Sequence, residues 1–157
     1  MQDAVVRGEP LFREHARQVA ALCWRAAPAL EILLITSLST RRWIIPKGWP
    51  MLEMSLFESA AREAFEEAGV EGAIGDIPVG NYVYLKERKG GGAVPCSVDV
   101  FPLEVTGQAE TWPEQGAREL AWLPLEEAAA KVDEPGLRDI LLAFGRPPER
   151  GRHAATR

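Results

Sequence analysis

The sequence predicts a single α/β domain, a mixed β-sheet sandwiched between helices. Three observations carry this reading: strand-like apolar segments lie on both sides of residues 55–69, that stretch itself has helical periodicity, and two further helical patterns follow near residues 125–144. The 157 residues suit one domain with a real core, at ordinary apolar and charged fractions for a globular chain.

In chain order, residues 1–15 show little pattern. Gln18 to Trp24 reads as a buried strand, Ala26-Ala27-Pro28-Ala29 as a turn, and Glu31 to Thr36 as a second strand able to pair with the first. Leu38 to Arg42 is a polar loop. Trp43-Ile44-Ile45 is a short strand ended by Pro46, and Gly48 lets the backbone pass close to whatever binds there.

Ser55 followed by Glu58 is a capping box, so a helix begins there, and Gly69 is placed to stop it. At about 100° per residue, Phe57, Ala61, Ala64, Phe65 and Ala68 form one apolar stripe, with Glu63, Glu66 and Glu67 gathered opposite. Two carboxylates about 6 Å apart repel by roughly 3 kcal/mol at an effective dielectric of ~20, and less in open water. A divalent cation relieves that repulsion, and carboxylate oxygens suit Mg²⁺ or Mn²⁺, ions that are commonly shared with substrate phosphates. A solvated acidic helix face is the plainer alternative.

After Gly69, residues 72–80 look irregular. Asn81 to Arg88 alternates as a strand, with Tyr82 and Tyr84 on one face and Val83 and Leu85 on the other, and Lys89 with three glycines links it to a return strand over Val94–Val105. The glycines lead into no helix carrying Lys-Ser/Thr, so a hairpin connection is favoured over a phosphate loop. Gln108–Arg118 reads as a mobile polar loop, Glu119–Leu123 as a short strand, and Leu125–Val132 and Gly136–Phe144 as helices broken at Pro135. The Pro-, Arg- and Gly-rich tail, residues 146–157, is expected to be disordered.

The net charge of −5 argues against a nucleic-acid polymer as partner. No apolar run approaches the ~20 residues that span a bilayer, and the first residues lack signal-peptide order, so no membrane partner and a cytoplasmic location are expected. Cys23 and Cys96 each sit in apolar runs and are read as two buried thiols. Basic residues cluster locally at Arg41, Arg42 and Lys47, and at Lys86, Arg88 and Lys89, where a polyanion could be gripped beside a metal.

Residues 48–70 resemble the motif of the Nudix hydrolases, G-x5-E-x7-R-E-U-x-E-E-x-G-U with U a bulky aliphatic residue. Gly48, Arg62, Glu63, Glu66, Glu67, Gly69 and Val70 fall on its positions; Ala64 replaces the aliphatic residue and Met54 replaces the first glutamate. The resemblance covers residues 17–145, leaving 1–16 as an N-terminal extension, and implies a Nudix-type α/β/α sandwich with a central mixed β-sheet. It further implies Mg²⁺ or Mn²⁺ at Glu63, Glu66, Glu67 and the Gly48 backbone, and Arg62 paired with Glu63.

The general base is left among Glu53, Glu110 and Glu114. Arg41, Arg42, Lys47, Lys86 and Arg88 are the expected phosphate-binding residues, and Trp112 and Trp122 are either base-stacking or core residues. Flanking phrases such as Trp43-Ile44-Ile45-Pro46-Lys47-Gly48 and Trp112-Pro113-Glu114 resemble the branch that hydrolyses diphosphoinositol and diadenosine polyphosphates. A small-molecule polyphosphate substrate and a monomer or homodimer are therefore expected. A nucleotide-sugar or nucleoside triphosphate hydrolase and a non-catalytic ligand-binding module stay open as alternatives.

Overall fold

A computed structural model of the protein describes residues 16–26 and 28–146. The expected N-terminal extension, apart from Ala16, and the expected disordered tail, apart from Arg146, lie outside the described residues. The elements are β1 (Ala16–Ala26), β2 (Leu30–Thr36), β3 (Trp43–Ile44), β4 (Lys47–Gly48), α1 (Leu56–Ala68), β5 (Val70–Ile74), β6 (Gly80–Glu87), β7 (Ala93–Gln108), β8 (Leu120–Pro124), α2 (Leu125–Lys131) and α3 (Pro135–Gly145).

The sheet is mixed, as predicted. Its path runs β3-β2-β1-β7-β5, with β4 on β1, β6 on β7 and β8 on β2. β1 runs parallel to β7, from Ala16 opposite Cys96 to Trp24 opposite Glu104, while the other pairings are antiparallel. The expected hairpin of β1 and β2 is present only at the turn end, Trp24 to Ala26 against Ile32 to Leu30.

A strand covered on both faces needs apolar residues on both, which is why β1 reads as a continuous run and not as an alternation. Val19, Ala21 and Cys23 pack with Leu33, Ile35, Phe101 and Leu103 beneath Ala60, Ala64 and Ala68 of α1. Ala20 and Leu22 face the other way, into a cluster with Ile32, Leu34, Val98, Val100, Leu125, Ala128, Leu137, Ile140 and Leu141 beneath α2 and α3. The α/β/α sandwich follows from that division. Cys23 and Cys96 are both buried and unpaired. No helix among the described residues is long and apolar enough to cross a membrane.

α1 begins and ends where its signals place it. The Ser55 side chain accepts from the Glu58 N–H, the Glu58 carboxylate accepts from the Ser55 N–H, and Gly69 adopts φ 74° with its N–H donating to the Phe65 carbonyl. Its buried face differs from the expected stripe. Ala60 is buried where Ala61 was expected, Phe57, Ala61 and Phe65 are half-buried, and Glu67 is buried at 6 % exposure on the helix flank that meets the sheet.

Other expectations shift too. Residues 70–74, read partly as irregular, form β5, a strand exposed at Glu71, Gly72 and Ala73, with a bulge between Glu71 and Gly72. A Cβ on Gly72 would overlap the Glu104 carbonyl, so glycine is required in a strand its propensity disfavours. Pro135 starts α3 instead of merely breaking a helix, since a first-turn N–H has no intrahelical partner to lose. The segment between β7 and β8, residues 109–119, holds most of the loop expected to be mobile at Gln108–Arg118, and it is tethered: Ala109 N–H donates to the Gly69 carbonyl and Glu114 N–H to the Glu66 carbonyl, and Glu119 N–H donates to Thr36 Oγ1.

Candidate active site

The site forms where α1 crosses β4. Alanines at positions 60, 64 and 68 let the helix lie close on the sheet, which drives Glu63 and Glu67 toward the backbone of Lys47 and Gly48. The Lys47 N–H donates to Glu67 Oε1 at 3.3 Å. A Cβ built on Gly48 would collide with the Glu63 carboxylate, so the missing side chain is what admits that carboxylate.

The two acids share a hydrogen bond, and their titration reflects it. Burial pushes Glu67 up to about 8, against the opposing pull of Arg118, and the neighbouring Glu63 charge and the shared bond raise it further. Burial also raises Glu63, although its hydrogen bond from Glu67 opposes the rise. Burial and the closeness of the two carboxyl groups thus disfavour having both ionised in the absence of a cation.

Arg118 completes the arrangement. It is 8 % exposed and donates to Glu114 Oε1 at 2.9 Å and to the Thr36 carbonyl at 3.0 Å, with Nη2 3.5 Å from Glu67 Oε2. It therefore ties β2, the 109–119 loop and α1 to one another. Arg118 was not among the expected site residues, and residues 109–119 form no helix on which an i,i+4 spacing from Glu114 would have marked it.

The expected residues divide. Gly48, Glu63 and Glu67 are brought together, but Glu66 turns to Arg62, whose Nε donates to Glu66 Oε2 at 2.9 Å. Arg62 therefore pairs with Glu66 and not, as expected, with Glu63, because i,i+4 neighbours meet on a helix and i,i+1 neighbours point apart. Among the described residues no three acid, histidine or cysteine side chains converge as a ready-made cage. A pair of carboxyl groups whose burial disfavours charge, set against an open backbone cradle, nevertheless fits a small divalent cation, whose charge would favour the ionised form of both.

Of the three proposed bases, Glu114 lies close enough for its charge to raise both Glu63 and Glu67. Glu110 and Glu53 are exposed, Glu53 at a left-handed φ of 67° in the loop before α1. Beside the acid pair opens a cleft of about 150 Å³ lined by Arg42, Lys47 and Lys86 together with Trp43 and Tyr84. Lys47 links the two, its N–H on Glu67 and its Nζ 4.8 Å from the centre of the Tyr84 ring; burial lowers its pKa. Arg41 and Arg88 do not line the cleft: Arg41 donates to the Ala117 carbonyl, and Arg88 sits at the glycine turn. Neither Trp112 nor Trp122 lines it; Trp112 packs on Gly69 and Trp122 stacks under the Arg25 guanidinium at 4.1 Å.

A sheet sandwiched in this way, with a capped acidic helix laid across a glycine-bearing strand, defines the class. The NUDIX domain model matches residues 16–144, and the chain belongs to that family. It is 35 % identical over 133 residues to "Nudix hydrolase 12, mitochondrial" of Arabidopsis thaliana, covering 81 % of this chain and 64 % of the relative. It is 34 % identical over 115 residues to diphosphoinositol polyphosphate phosphohydrolase 3-beta of Bos taurus, covering 71 % of this chain and 66 % of the relative. The chain thus spans just under two thirds of the length of the plant relative. Among solved structures, a C. elegans Ap4A hydrolase superposes with a TM-score of 0.59 at 20 % identity, covering 83 % of this chain and 96 % of that one, a likeness of fold.

Proposed function

We propose that the protein is a metal-dependent pyrophosphohydrolase that cleaves a phosphoanhydride bond in a diphosphate linked to another moiety, a diadenosine polyphosphate or a diphosphoinositol polyphosphate. The observation that carries this reading is the Glu63–Glu67 pair pressed against the Gly48 backbone beside a cleft with basic side chains. Glu63, Glu67 and the Gly48 backbone would hold Mg²⁺ or Mn²⁺, and Glu66 would join them on leaving Arg62. The bound cation supplies Lewis acidity toward phosphoryl oxygens and lowers the pKa of the attacking water.

The remaining work falls to side chains. Glu114 takes the proton of the water, held in place by its bond to Arg118. The water oxygen bonds to one phosphorus as the bridging oxygen leaves on the other phosphate. Arg42, Lys47 and Lys86 orient the phosphates. Met54, at the position of the motif's first glutamate, is 41 % exposed and contributes no carboxylate. Two unpaired buried thiols suit a reducing compartment, in keeping with a cytoplasmic protein acting on a small molecule as a monomer or homodimer.

The test is a Mg²⁺-supplemented screen of dinucleoside polyphosphates, diphosphoinositol polyphosphates, nucleotide sugars and nucleoside triphosphates, with products identified. Cleavage between phosphorus atoms, abolished by Glu67→Gln, is expected. Cleavage of none of the panel with Mg²⁺ or Mn²⁺ would overturn the reading.

A further inference from the structure

The strand β6 has one edge without a partner. β7 pairs it along Gly80–Glu87 on one side, and among the described residues no strand lies on the other. Antiparallel ladders alternate, so only every second residue of β6 bonds to β7 through its main chain. The Arg88 N–H donates to the Gly92 carbonyl at the turn, which puts Lys86, Tyr84 and Tyr82 in the bonded set with their partners Val94, Cys96 and Val98. Pro95, with no N–H to give, accordingly stands opposite Leu85 in the other set. The N–H and C=O groups of Asn81, Val83, Leu85 and Glu87 therefore point outward along the free edge.

The side chains of these same residues lie on the face away from the cluster that holds Tyr82, with Val83 56 % and Leu85 67 % exposed. Sheet edges are commonly blunted by a proline, a charge or a bulge at mid-strand. From Asn81 to Leu85 the strand has none of these, and its charges, Lys86 and Glu87, stand at one end.

A second copy of this edge is complementary to it. Antiparallel self-pairing centred on Tyr84 sets Val83 against Leu85 and Asn81 against Glu87 of the other copy, so every outward N–H and C=O of those residues meets a partner. Centring on Val83 strands Glu87, and centring on Leu85 strands Asn81. In the Tyr84-centred register Lys86 falls opposite Tyr82, so no like charges meet, whereas centring on Lys86 would set two lysines together.

We propose that β6 is a dimerisation edge, at which two copies of this chain join their sheets by antiparallel β6–β6 pairing about a two-fold axis at Tyr84. One strand edge is a small interface, so the association is weak and reversible. The pairing does not depend on what the acid pair of α1 does.

Sedimentation velocity of the full chain, from about 1 to about 300 μM, should show a reversible monomer–dimer equilibrium, and a monomer throughout overturns the proposal. Val83→Lys and Leu85→Glu, both at positions exposed in the single chain, should each weaken dimerisation about tenfold or more. Their equimolar mixture should recover most of the loss, because the introduced lysine of one chain then faces the introduced glutamate of the other; a mixture that stays monomeric overturns the register. The wild-type protein supplies an arm that needs no variant. Amide exchange at Asn81, Val83, Leu85 and Glu87 should slow as the protein concentration rises. Slow exchange there in the dilute monomer would mean that the edge is already filled from within the chain, and fast exchange there in a dimer would place the interface elsewhere; either overturns the proposal.

Discussion

The helices on the two faces of the sheet bury themselves by different means. α3 packs Leu137, Ile140 and Leu141, large side chains that fill the space between helix and sheet with hydrocarbon. α1 packs Ala60, Ala64 and Ala68, so its backbone comes close and its neighbouring glutamates reach the sheet. The first arrangement maximises buried apolar area. The second gives up area to bring Glu63 and Glu67 against Gly48, and it leaves two neighbouring acids there, one of them buried. The acid pair therefore belongs to the α1 face, while the cleft beside it is walled by Trp43, Tyr82 and Tyr84 from the α3 face.

Substitutions on each face should separate the two. The largest effect is expected from Glu67→Gln, which removes a carboxylate from the pair; the loss of metal-assisted catalysis is about 4 kcal/mol, roughly a thousandfold in kcat. Its thermal midpoint without metal should not fall, because Gln replaces a carboxyl group whose ionised form burial already disfavours, and the midpoint rise that Mn²⁺ produces in the wild type should vanish. Calorimetric scans with and without Mn²⁺ read both.

Leu141→Ala on the opposite face should do the reverse. It opens a cavity in a wholly buried position, costs about 2–5 kcal/mol of stability by denaturant titration, and leaves kcat of the folded fraction unchanged. A kcat loss comparable to that of Glu67→Gln would show that the faces are not independent.

Gly48→Ala tests the close approach itself. A methyl group there meets the Glu63 carboxylate, so activity should fall about a hundredfold, near 2.7 kcal/mol, with the Mn²⁺-induced midpoint shift reduced. Retained activity would mean that Glu63 does not need this cradle. The smallest stability effect is expected from Arg62→Ala, which breaks a half-exposed i,i+4 pair with Glu66 worth about 0.3–0.5 kcal/mol. Its kcat should fall more than its stability, and the difference measures how far Glu66 depends on Arg62 for its position.

Much of this was legible in the chain because the signals are local. The Ser55–Glu58 capping box and Gly69 bracket α1 within the residues they cap, and the glycines at 90–92, all at positive φ, read correctly as a hairpin connection. The acids of α1 were legible as a group. Which two of them meet was not, since Glu66 and Glu67 are adjacent and only the rotation of α1 against the sheet sends one to Arg62 and the other to Lys47. β5 escaped because its exposed Glu71-Gly72-Ala73 core has neither alternation nor propensity, and its pairing to β7 supplies the order instead.

By itself the sequence determined most of the elements, the acidic ridge and the family, because capping, periodicity and a spaced motif each act over a few residues. Only the tertiary structure decided that Glu63 and Glu67 meet at Gly48 and Lys47, that Arg118 reaches both Glu67 and Glu114, and that Trp43 rather than Trp112 or Trp122 walls the cleft. Those facts depend on the parallel pairing of β1 with β7 and on β8 closing beside β2, contacts between segments far apart along the chain. Long-range pairing is set by the summed burial of two core clusters and not by any short run of residues, so a local reading carries no trace of it.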